Sequence, residues 1–372
     1  MSSRPPSIRP HLAKLPGYAP VVPLAERARQ AGLEPEDCLK LDANENPYGM
    51  HPRVREALAT ALSDPNFGSI YPDPNQATLR AALARYTGID ASMIVAGAGA
   101  DELLDLTLRA LLRPGASIIT CSPSFGMYPF LADLNELNLI DIPRDHDFAL
   151  PTDALLDAVS QGKGDSVVVL TSPNNPSGDL VPVEVIRALL TSGATLMLDE
   201  AYIEFAGLEM SAQHLLAEFP RLVIMRTFSK WAAIAGLRLG YTLANPDLVA
   251  DLIKVKQPYN LNQAAEVAGI AAIDAAQEIG EQIDVIRQTR DSLYETLQSI
   301  EGLKPLPSQS NFILIEVDPA IGTGQELHDQ LANLGVFTRT YSDPALASCL
   351  RISMPRHDQL NTLIERLTVA VQ

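Results

Sequence analysis

The sequence predicts an α/β fold built on a mainly parallel β-sheet with helices on both faces. First, short and continuously apolar segments alternate with segments of helical periodicity, at residues 117–121, 166–170, 194–198 and 222–225. Strands that are apolar along their whole length are typical of parallel sheets buried on both faces. Second, polar residues follow the last three of these strands closely, and ligands of such sheets bind beyond the carboxyl ends of the strands.

The length of the chain, 372 residues, allows a large domain and a smaller one. Residues 1–40 are proline-rich and are predicted to form an N-terminal arm and helix that joins the small domain. Residues 41–262 hold the apolar strands and are predicted to form the large domain. Residues 263–372 are predicted to form a connecting helix, with a break near Gly280, and a small C-terminal α/β domain.

Composition narrows the class of protein. The chain is 47% hydrophobic and 20% charged, an ordinary balance for a globular protein with a full core. Its formal net charge of −17 argues against nucleic acid as a partner, because phosphates repel an acidic surface. No apolar run approaches the roughly 20 residues that span a bilayer, so no membrane partner is expected.

Cysteine and histidine usage gives no sign of disulfides or a metal site. Cys38, Cys121 and Cys349 are far apart and odd in number, which fits neither a disulfide framework nor a metal-ligand spacing. The six histidines form no zinc-binding pattern, so no metal is expected. The first ten residues lack the apolar core of a secretory signal. Together these features predict a reducing, cytoplasmic location.

Lys230 is the residue around which the candidate site is organised. It follows the apolar strand at 222–225, and burying an unpaired ammonium there is heavily penalised. One interpretation is a surface lysine after a core strand. The other is an amine of lowered pKa that forms a Schiff base with an aldehyde cofactor. The second is favoured because other polar residues also follow strand ends, namely Asn175, Asp199, Tyr202 and Ser229.

A small-residue turn precedes one of the predicted helices. The segment Ala96-Gly97-Ala98-Gly99-Ala100 leads into an apolar helical pattern that begins at Leu103. Free backbone N–H groups at the positive end of a helix suit a phosphate. Such turns are common before helices, so this signal is weak alone.

Several segments together resemble one protein family. They are LDANENPYG at 41–49, YPDP at 71–74, GADE at 99–102, SPNNPSG at 172–178, LDEAY at 198–202, TFSK at 227–230 and AGLRLGY at 235–241. In this combination the chain resembles the fold-type I aminotransferases that use pyridoxal 5′-phosphate, and in particular the histidinol-phosphate aminotransferases. The resemblance implies a large domain with a mainly parallel central sheet, a smaller C-terminal α/β domain and pyridoxal phosphate as cofactor.

The resemblance assigns catalytic roles to Lys230, Asp199 and Tyr202. Lys230 is expected to hold the cofactor as a Schiff base and then to move the substrate proton. Asp199 is expected to pair with the protonated ring nitrogen of the cofactor. Tyr202 and Asn175 are expected to hydrogen-bond the ring oxygen, and Phe125 is expected to stack on the ring.

The resemblance also assigns residues to the cofactor phosphate. Those within one chain are Ala100, Asp101, Thr227, Ser229 and Arg238. Tyr71 is expected to reach the same phosphate from the partner subunit, which makes a homodimer part of the site.

Substrate residues follow from the same resemblance. Arg351 is expected to take an α-carboxylate, because a planar guanidinium binds a carboxylate through two parallel hydrogen bonds. Its apolar neighbours on both sides predict a half-buried strand. Arg339, Tyr18 and Asn44 are expected in the distal pocket, with Arg339 a candidate for a substrate phosphate. Histidinol phosphate has no α-carboxylate, so Arg351 would serve mainly the glutamate half-reaction.

Two residues depart from the family pattern. Phe125 stands where a tyrosine is more common, which keeps the ring contact and loses a hydroxyl. Trp231 follows the lysine, where a smaller residue or a phenylalanine is more usual. It either narrows the pocket or fills the core.

The predicted reaction is transfer of an amino group from histidinol phosphate to 2-oxoglutarate. Two alternatives use the same cofactor residues: an aminotransferase of aromatic amino acids and a decarboxylase of a phosphorylated amino acid. A third is an aminotransferase-like domain without activity that serves binding or regulation. The intact set of Lys230, Asp199, Tyr202 and Arg238 argues against this third alternative.

Overall fold

A computed structural model of the chain describes residues 7–15, 22–162 and 164–372. Tyr18, which the resemblance places in the distal pocket, lies outside the described residues. Within those three ranges, no helix combines the length and the apolar character needed to cross a membrane.

Helices and strands alternate through most of the described chain. The α-helices are α1 Leu24–Ala31, α2 Pro52–Leu62, α3 Ala77–Thr87, α4 Ala100–Leu111, α5 Met127–Leu134, α6 Thr152–Gln161, α7 Val183–Thr191, α8 Ile203–Ala206, α9 Pro246–Val255, α10 Gln263–Asp274, α11 Ala276–Gln298, α12 Gly324–Asn333 and α13 Leu360–Ala370. The strands are β1 Leu39–Lys40, β2 Ile94–Gly97, β3 Ser117–Thr120, β4 Asn138–Asp141, β5 Ser166–Thr171, β6 Thr195–Asp199, β7 Leu222–Thr227, β8 Gly240–Leu243, β9 Leu303–Pro305, β10 Phe312–Val317, β11 Val336–Phe337 and β12 Cys349–Ser353.

The central sheet has seven strands in the order β2-β8-β7-β6-β5-β3-β4. Strand β8 runs antiparallel to both of its neighbours, and the other neighbouring pairs are parallel. Strands β5, β6 and β7 are buried along almost their whole length. Continuous apolar sequence therefore corresponds to strands covered on both faces, as predicted.

The register of the central strands brings their carboxyl ends together. Thr171 at the end of β5 pairs with Asp199 at the end of β6, and Asp199 pairs with Met225 of β7. Strand β2 runs in the same direction, and helix α4 begins three residues after it, at Ala100. The polar segments that follow these strands consequently meet at one edge of the sheet.

The C-terminal part contains a second sheet. It is antiparallel, with the order β12-β10-β9. Strand β1 pairs in parallel with β11, so the N-terminal arm is joined to this part of the chain. Helix α10 packs against α2 and α3. The division of the chain at residues 41 and 263 stays a prediction.

Two local expectations are wrong. The long helical stretch breaks at Ala275, between α10 and α11, and Gly280 lies inside α11. Glycine in a helix interior costs only about 1 kcal/mol relative to alanine, and the packing of the rest of the helix outweighs it. Strand β12 is buried at all five residues and not half-buried, because it pairs with β10 and α12 packs against it.

Candidate active site

Two adjoining cavities lie at the carboxyl edge of the central sheet. The inner cavity has a volume of about 270 Å³ and the outer cavity about 720 Å³. Both cavities are lined by Ala43, Phe125, Asn175, Tyr202 and Lys230. The shared lining makes the two cavities parts of one site.

The inner cavity brings together the residues that the resemblance assigns to the cofactor within one chain. They are Ala100, Asp101, Phe125, Asn175, Asp199, Tyr202, Thr227, Ser229, Lys230 and Arg238. The outer cavity is lined by three of the predicted substrate residues, Asn44, Arg339 and Arg351. Tyr71 lines neither of these two cavities.

Lys230 lies where the two cavities meet, three residues after the end of β7. Its Nζ donates a hydrogen bond to the carbonyl oxygen of Ala43 at 2.9 Å and lies 5.9 Å from the centre of the Tyr202 ring. Burial, assisted by the nearby Arg351 guanidinium, lowers the pKa of Lys230 from 10.5 to about 8. The amine is therefore partly neutral near pH 8, and only the neutral amine is a nucleophile.

This lowered pKa gives a measurable reactivity. We expect an aldehyde probe, trapped by borohydride on the cofactor-free protein, to label Lys230 with a midpoint near pH 8, the value to which its pKa is lowered. The exposed Lys254, whose pKa is raised by Asp251, serves as the internal comparison and labels only at higher pH. Peptide mass spectrometry over pH 6 to 11 measures both. Equal midpoints for the two lysines would contradict the assignment.

Asp199 is a buried carboxylate at the end of β6, with 8% of its surface exposed. Its Oδ1 accepts a hydrogen bond from the backbone N–H of Ala201 at 3.0 Å, and its Oδ2 accepts one from the Tyr128 hydroxyl at 3.1 Å. Burial raises the pKa of Asp199 from 3.8 to about 6. The carboxylate is thus ionised at neutral pH at an energetic penalty, which a nearby cation would remove.

Tyr128 is a site residue that sequence reasoning did not identify. Its hydroxyl lies 2.5 Å from Thr171 Oγ1, at the end of β5, and donates to Asp199. Its ring meets that of Phe125 edge-on, with 5.8 Å between ring centres. The one available signal was its position three residues after Phe125; Tyr128 is the second residue of the helix that begins at Met127.

The start of helix α4 forms a cradle for an anion. Its backbone passes very close to β8, since a Cβ built on Gly240 would lie 2.6 Å from the backbone N of Ala100. Gly99 has a φ of +95°, and a Cβ there would lie 2.6 Å from Arg238 Nη2. Any residue larger than glycine at 99 would therefore displace the guanidinium from the helix start. Exposed backbone N–H groups beside a guanidinium suit a phosphate.

Hydroxyl groups complete this cradle. Thr227 Oγ1 donates to Ser229 Oγ at 2.9 Å, and Arg238 Nη1 lies 3.5 Å from the same Ser229 oxygen. Arg238 Nη2 also donates to Asp101 Oδ2 at 3.0 Å. The carboxylate of Asp101 therefore holds the guanidinium in place at the helix start.

Tyr202 and Asn44 are joined by a hydrogen bond. Asn44 Nδ2 donates to the Tyr202 hydroxyl at 3.0 Å, and burial raises the pKa of Tyr202 to about 12. Asn44 itself is held by Ser353, whose hydroxyl donates to Asn44 Oδ1 at 2.8 Å. Asn44 is 1% exposed and links the outer cavity to β12. Its predicted role toward a substrate stays a prediction.

Arg351 uses two nitrogens of its guanidinium within the protein. Nη1 donates to Asn175 Oδ1 at 2.7 Å, and Nη2 donates to the carbonyl oxygen of Asp42 at 2.7 Å. Its Nε is buried without a hydrogen-bond partner among the described residues. The contact fixes the Asn175 amide so that its oxygen faces Arg351, which leaves its Nδ2 as the group that can donate elsewhere.

Arg339 lines the outer cavity beside Arg351. The backbone N–H of each residue donates to the carbonyl of the other, at 3.0 Å and 2.8 Å. This isolated bridge places Arg339, which follows β11, opposite Arg351 of β12 on the same cavity wall. The arrangement favours an anionic ligand.

Trp231 and Tyr71 lie apart from the cavities. Trp231 is 1% exposed and its ring stacks on Tyr86 with 5.3 Å between ring centres, so it fills the core. Tyr71 is 76% exposed and stacks on Tyr259 at 4.4 Å. Within one chain, Tyr71 is a surface residue.

Comparison with known proteins agrees with this site. The family model described as aminotransferase class I and II matches residues 36–367. A histidinol-phosphate aminotransferase of Roseiflexus castenholzii is 41% identical over 97% of this chain and 97% of its own length. Histidinol-phosphate aminotransferase 1 of Arabidopsis thaliana, a chloroplastic protein, is 40% identical over 97% of this chain and 85% of its own length.

A solved structure gives the same result. The histidinol-phosphate aminotransferase of Sinorhizobium meliloti, in complex with pyridoxal-5′-phosphate, superposes with a TM-score of 0.88 at 28% identity, covering 99% of this chain and 98% of that one. The predicted family and the fold-type I architecture are confirmed. The chain belongs to the class I and II aminotransferase family, in the group of the histidinol-phosphate aminotransferases.

Proposed function

We propose that this protein is a pyridoxal-phosphate-dependent aminotransferase that converts histidinol phosphate and 2-oxoglutarate to imidazole acetol phosphate and glutamate, a step of histidine biosynthesis. One observation carries the proposal. A lysine with a pKa lowered to about 8 shares a cavity with a buried carboxylate and an anion cradle. The names of the relatives support the choice of substrate.

The lining of the inner cavity fits pyridoxal phosphate. Lys230 supplies an amine of lowered pKa for the aldehyde, and Asp199 supplies for the ring nitrogen a buried carboxylate without an ion-pair partner among the described residues. The cradle at the start of α4 suits the phosphate, and Phe125 offers a ring face for stacking. When bound, this cofactor withdraws electrons from the substrate Cα, which makes its proton labile.

Side chains of the inner cavity are suited to move the substrate Cα proton and to stabilise the cofactor. Lys230 would hold the cofactor, and its amine would serve as the base that accepts the substrate Cα proton and returns it. Asp199 would stabilise the protonated ring nitrogen of the cofactor. Burial penalises the ionised carboxylate, and a cation beside it removes that penalty. Tyr202 and Asn175 line the same cavity. Each of these roles is a proposal for this chain.

The outer cavity supports a substrate that carries a phosphate. Arg339 is half-buried on its wall and makes no ion pair within the described part of the chain. Arg351 lies beside it and is already bonded to Asn175 and Asp42. We therefore propose Arg339 as the main phosphate contact and Arg351 as the contact for the α-carboxylate of glutamate.

Single half-reactions test the proposed function. The protein, loaded with pyridoxal phosphate, is mixed with one amino donor and no keto acid, and the loss of the visible cofactor band is followed. We expect conversion by histidinol phosphate and by glutamate, and only weak conversion by phenylalanine or tyrosine. Arg339→Gln should weaken the reaction of histidinol phosphate and leave that of glutamate near wild type.

The same spectra separate the alternatives. Conversion by aromatic amino acids and not by histidinol phosphate would identify an aromatic aminotransferase. Release of CO₂ from a phosphorylated amino acid would identify a decarboxylase. A protein that forms no visible band with pyridoxal phosphate would contradict the cofactor assignment and favour a binding role.

We also propose a homodimer in which Tyr71 completes the cofactor site of the partner subunit. Large apolar side chains are exposed in two segments that the stacking of Tyr71 on Tyr259 joins. They are Leu62, Ile70 and Tyr71 in the first segment, and Val255 and Tyr259 in the second. Exposed apolar patches of this kind mark association surfaces. The anion cradle lies in the inner cavity, which Tyr71 of the same chain does not line.

Replacing Tyr71 tests this dimer. We expect Tyr71→Phe to raise the Kd for pyridoxal phosphate by about 10- to 100-fold, the loss of one hydrogen bond to a charged group, while light scattering still reports a dimer. Val369→Ala, at an exposed apolar residue elsewhere, serves as the control. A monomer in solution, or an unchanged Kd for the cofactor, would contradict the proposal.

The proposed location is the cytoplasm. Cys38, Cys121 and Cys349 are each buried and free. Burial raises the pKa of Cys121 to about 12, which keeps this thiol protonated. Three unpaired thiols are consistent with a reducing compartment.

A further inference from the structure

We infer that Asp141, at the carboxyl end of edge strand β4, recognises the nitrogen-bearing ring of the substrate and selects imidazole over phenyl. The inference rests on the proposed function and deepens it. It names a residue that distinguishes histidinol phosphate from an aromatic donor, whereas the cofactor residues serve both equally.

Strand β4 presents one polar and one apolar side chain to the outer cavity. It is the edge strand of the central sheet and pairs only with β3 within that sheet. Ile140 packs against the core, and its neighbours Leu139 and Asp141 lie on the other face, since side chains alternate along a strand. Both line the outer cavity, and Leu139 is 40% exposed.

The Asp141 carboxylate is held by the backbone. Its Oδ1 accepts a hydrogen bond from the N–H of Ser122 at 2.9 Å. Ser122 begins the segment that carries Phe125, so the carboxylate is fixed relative to the residue predicted to stack on the cofactor. Its Oδ2 has no hydrogen-bond partner among the described residues and remains available to a ligand.

The charges of the cavity match the two ends of the proposed substrate. The C-terminal part of the chain contributes the guanidinium groups of Arg339 and Arg351, and the sheet edge contributes Leu139 and Asp141. A phosphate suits the first pair. An imidazole suits the second, because its ring packs on an apolar side chain and its N–H donates to a carboxylate. A phenyl ring would cover the free Oδ2 of Asp141 and offer it no donor.

Asp343 also lines this cavity, and its carboxylate caps a turn within the protein. Its Oδ1 accepts from the N–H of Ala345 at 2.9 Å and caps a helical turn. Asn caps helices as well as Asp does. Asp343→Asn is therefore a matched control that removes a charge from the same cavity and keeps the backbone contact.

The test compares two phosphorylated donors that differ only in the ring, histidinol phosphate and phenylalaninol phosphate. Asp141→Asn retains an oxygen for Ser122 and removes the charge. We expect its kcat/KM for histidinol phosphate to fall by about 10- to 100-fold, the range for a hydrogen bond to a charged group, while that for phenylalaninol phosphate stays equal or rises. The glutamate half-reaction of Asp141→Asn should match that of wild type. Asp343→Asn should show the wild-type preference between the two rings.

Two failures are distinguishable. A wild-type protein that converts glutamate and not histidinol phosphate overturns the proposed substrate, and this inference with it. A wild-type protein that converts histidinol phosphate, with the same ring preference in Asp141→Asn, overturns the inference alone. A change of preference in Asp343→Asn and not in Asp141→Asn also overturns it.

Discussion

Lys230→Ala is expected to lose transamination by at least about 10²–10⁴-fold, the range by which a positioned general base accelerates a reaction. The substitution also removes the amine that binds the cofactor. The fold should be retained, because the lysine makes a single hydrogen bond within the described chain, to Ala43 at 2.9 Å. A hydrogen bond of this kind contributes only about 1 kcal/mol.

Turnover with both substrates and the thermal midpoint of the cofactor-free protein measure these two effects. Lys304→Ala is the control, since Lys304 is exposed and pairs with Glu316 at 3.1 Å, away from both cavities. We expect it to keep wild-type turnover. A Lys230→Ala variant with wild-type turnover would end the assignment of this lysine.

Asp199→Asn is expected to lower turnover by about 10²–10⁴-fold. Breaking a buried charge pair costs about 3–5 kcal/mol, and each 1.36 kcal/mol is tenfold in rate. The loss arises with the cofactor bound, when the ring cation loses its partner. Saturating pyridoxal phosphate separates this effect from weaker cofactor binding.

Asp199→Asn should lower turnover but should not lower the stability of the cofactor-free protein. The pKa of Asp199 rises from 3.8 unfolded to about 6 folded, so its contribution to stability is complete below about pH 4 and is lost as the pH rises through 6. The difference corresponds to about 3 kcal/mol. At pH 8 the cofactor-free Asp199→Asn protein should therefore be at least as stable as wild type, and this advantage should vanish near pH 4.

Tyr128→Phe is the matched control for Asp199→Asn. It removes the hydroxyl that donates to Asp199 Oδ2 and keeps the carboxylate. We expect a smaller loss of turnover than for Asp199→Asn, of no more than about 10- to 100-fold, in line with about 1.5–3 kcal/mol for one hydrogen bond to a charged group. Equal losses for the two variants would contradict a special role for the charge of Asp199.

The central sheet was predictable because its strands are apolar on both faces. A pattern of this kind depends only on burial, and β5, β6 and β7 are buried as expected. The gathering of Asn175, Asp199 and Lys230 followed from the same rule, since parallel strands end at one edge.

Features that depend on contacts between distant segments were not predictable. Tyr128 and Asp199 are 71 residues apart in the chain, and no local pattern marks their hydrogen bond. The same holds for Arg351 and Asn175, which are 176 residues apart. No glycine or proline marks the helix break at Ala275. Gly280 gave a wrong prediction because the packing of the surrounding helix outweighs the low helix propensity of glycine.

The bonded state of Arg351 leaves part of its guanidinium available to a substrate. For a donor without an α-carboxylate, the guanidinium can keep Asn175 and Asp42 as partners, and the resting arrangement already serves. Glutamate can bind through the N–H groups that remain, because Nε has no partner among the described residues and each Nη has donated only one of its two hydrogens. Under the proposed function, Arg351 can therefore keep its contacts to Asn175 and Asp42 in both halves of the cycle, and the position of Asn175 is preserved when the substrate changes.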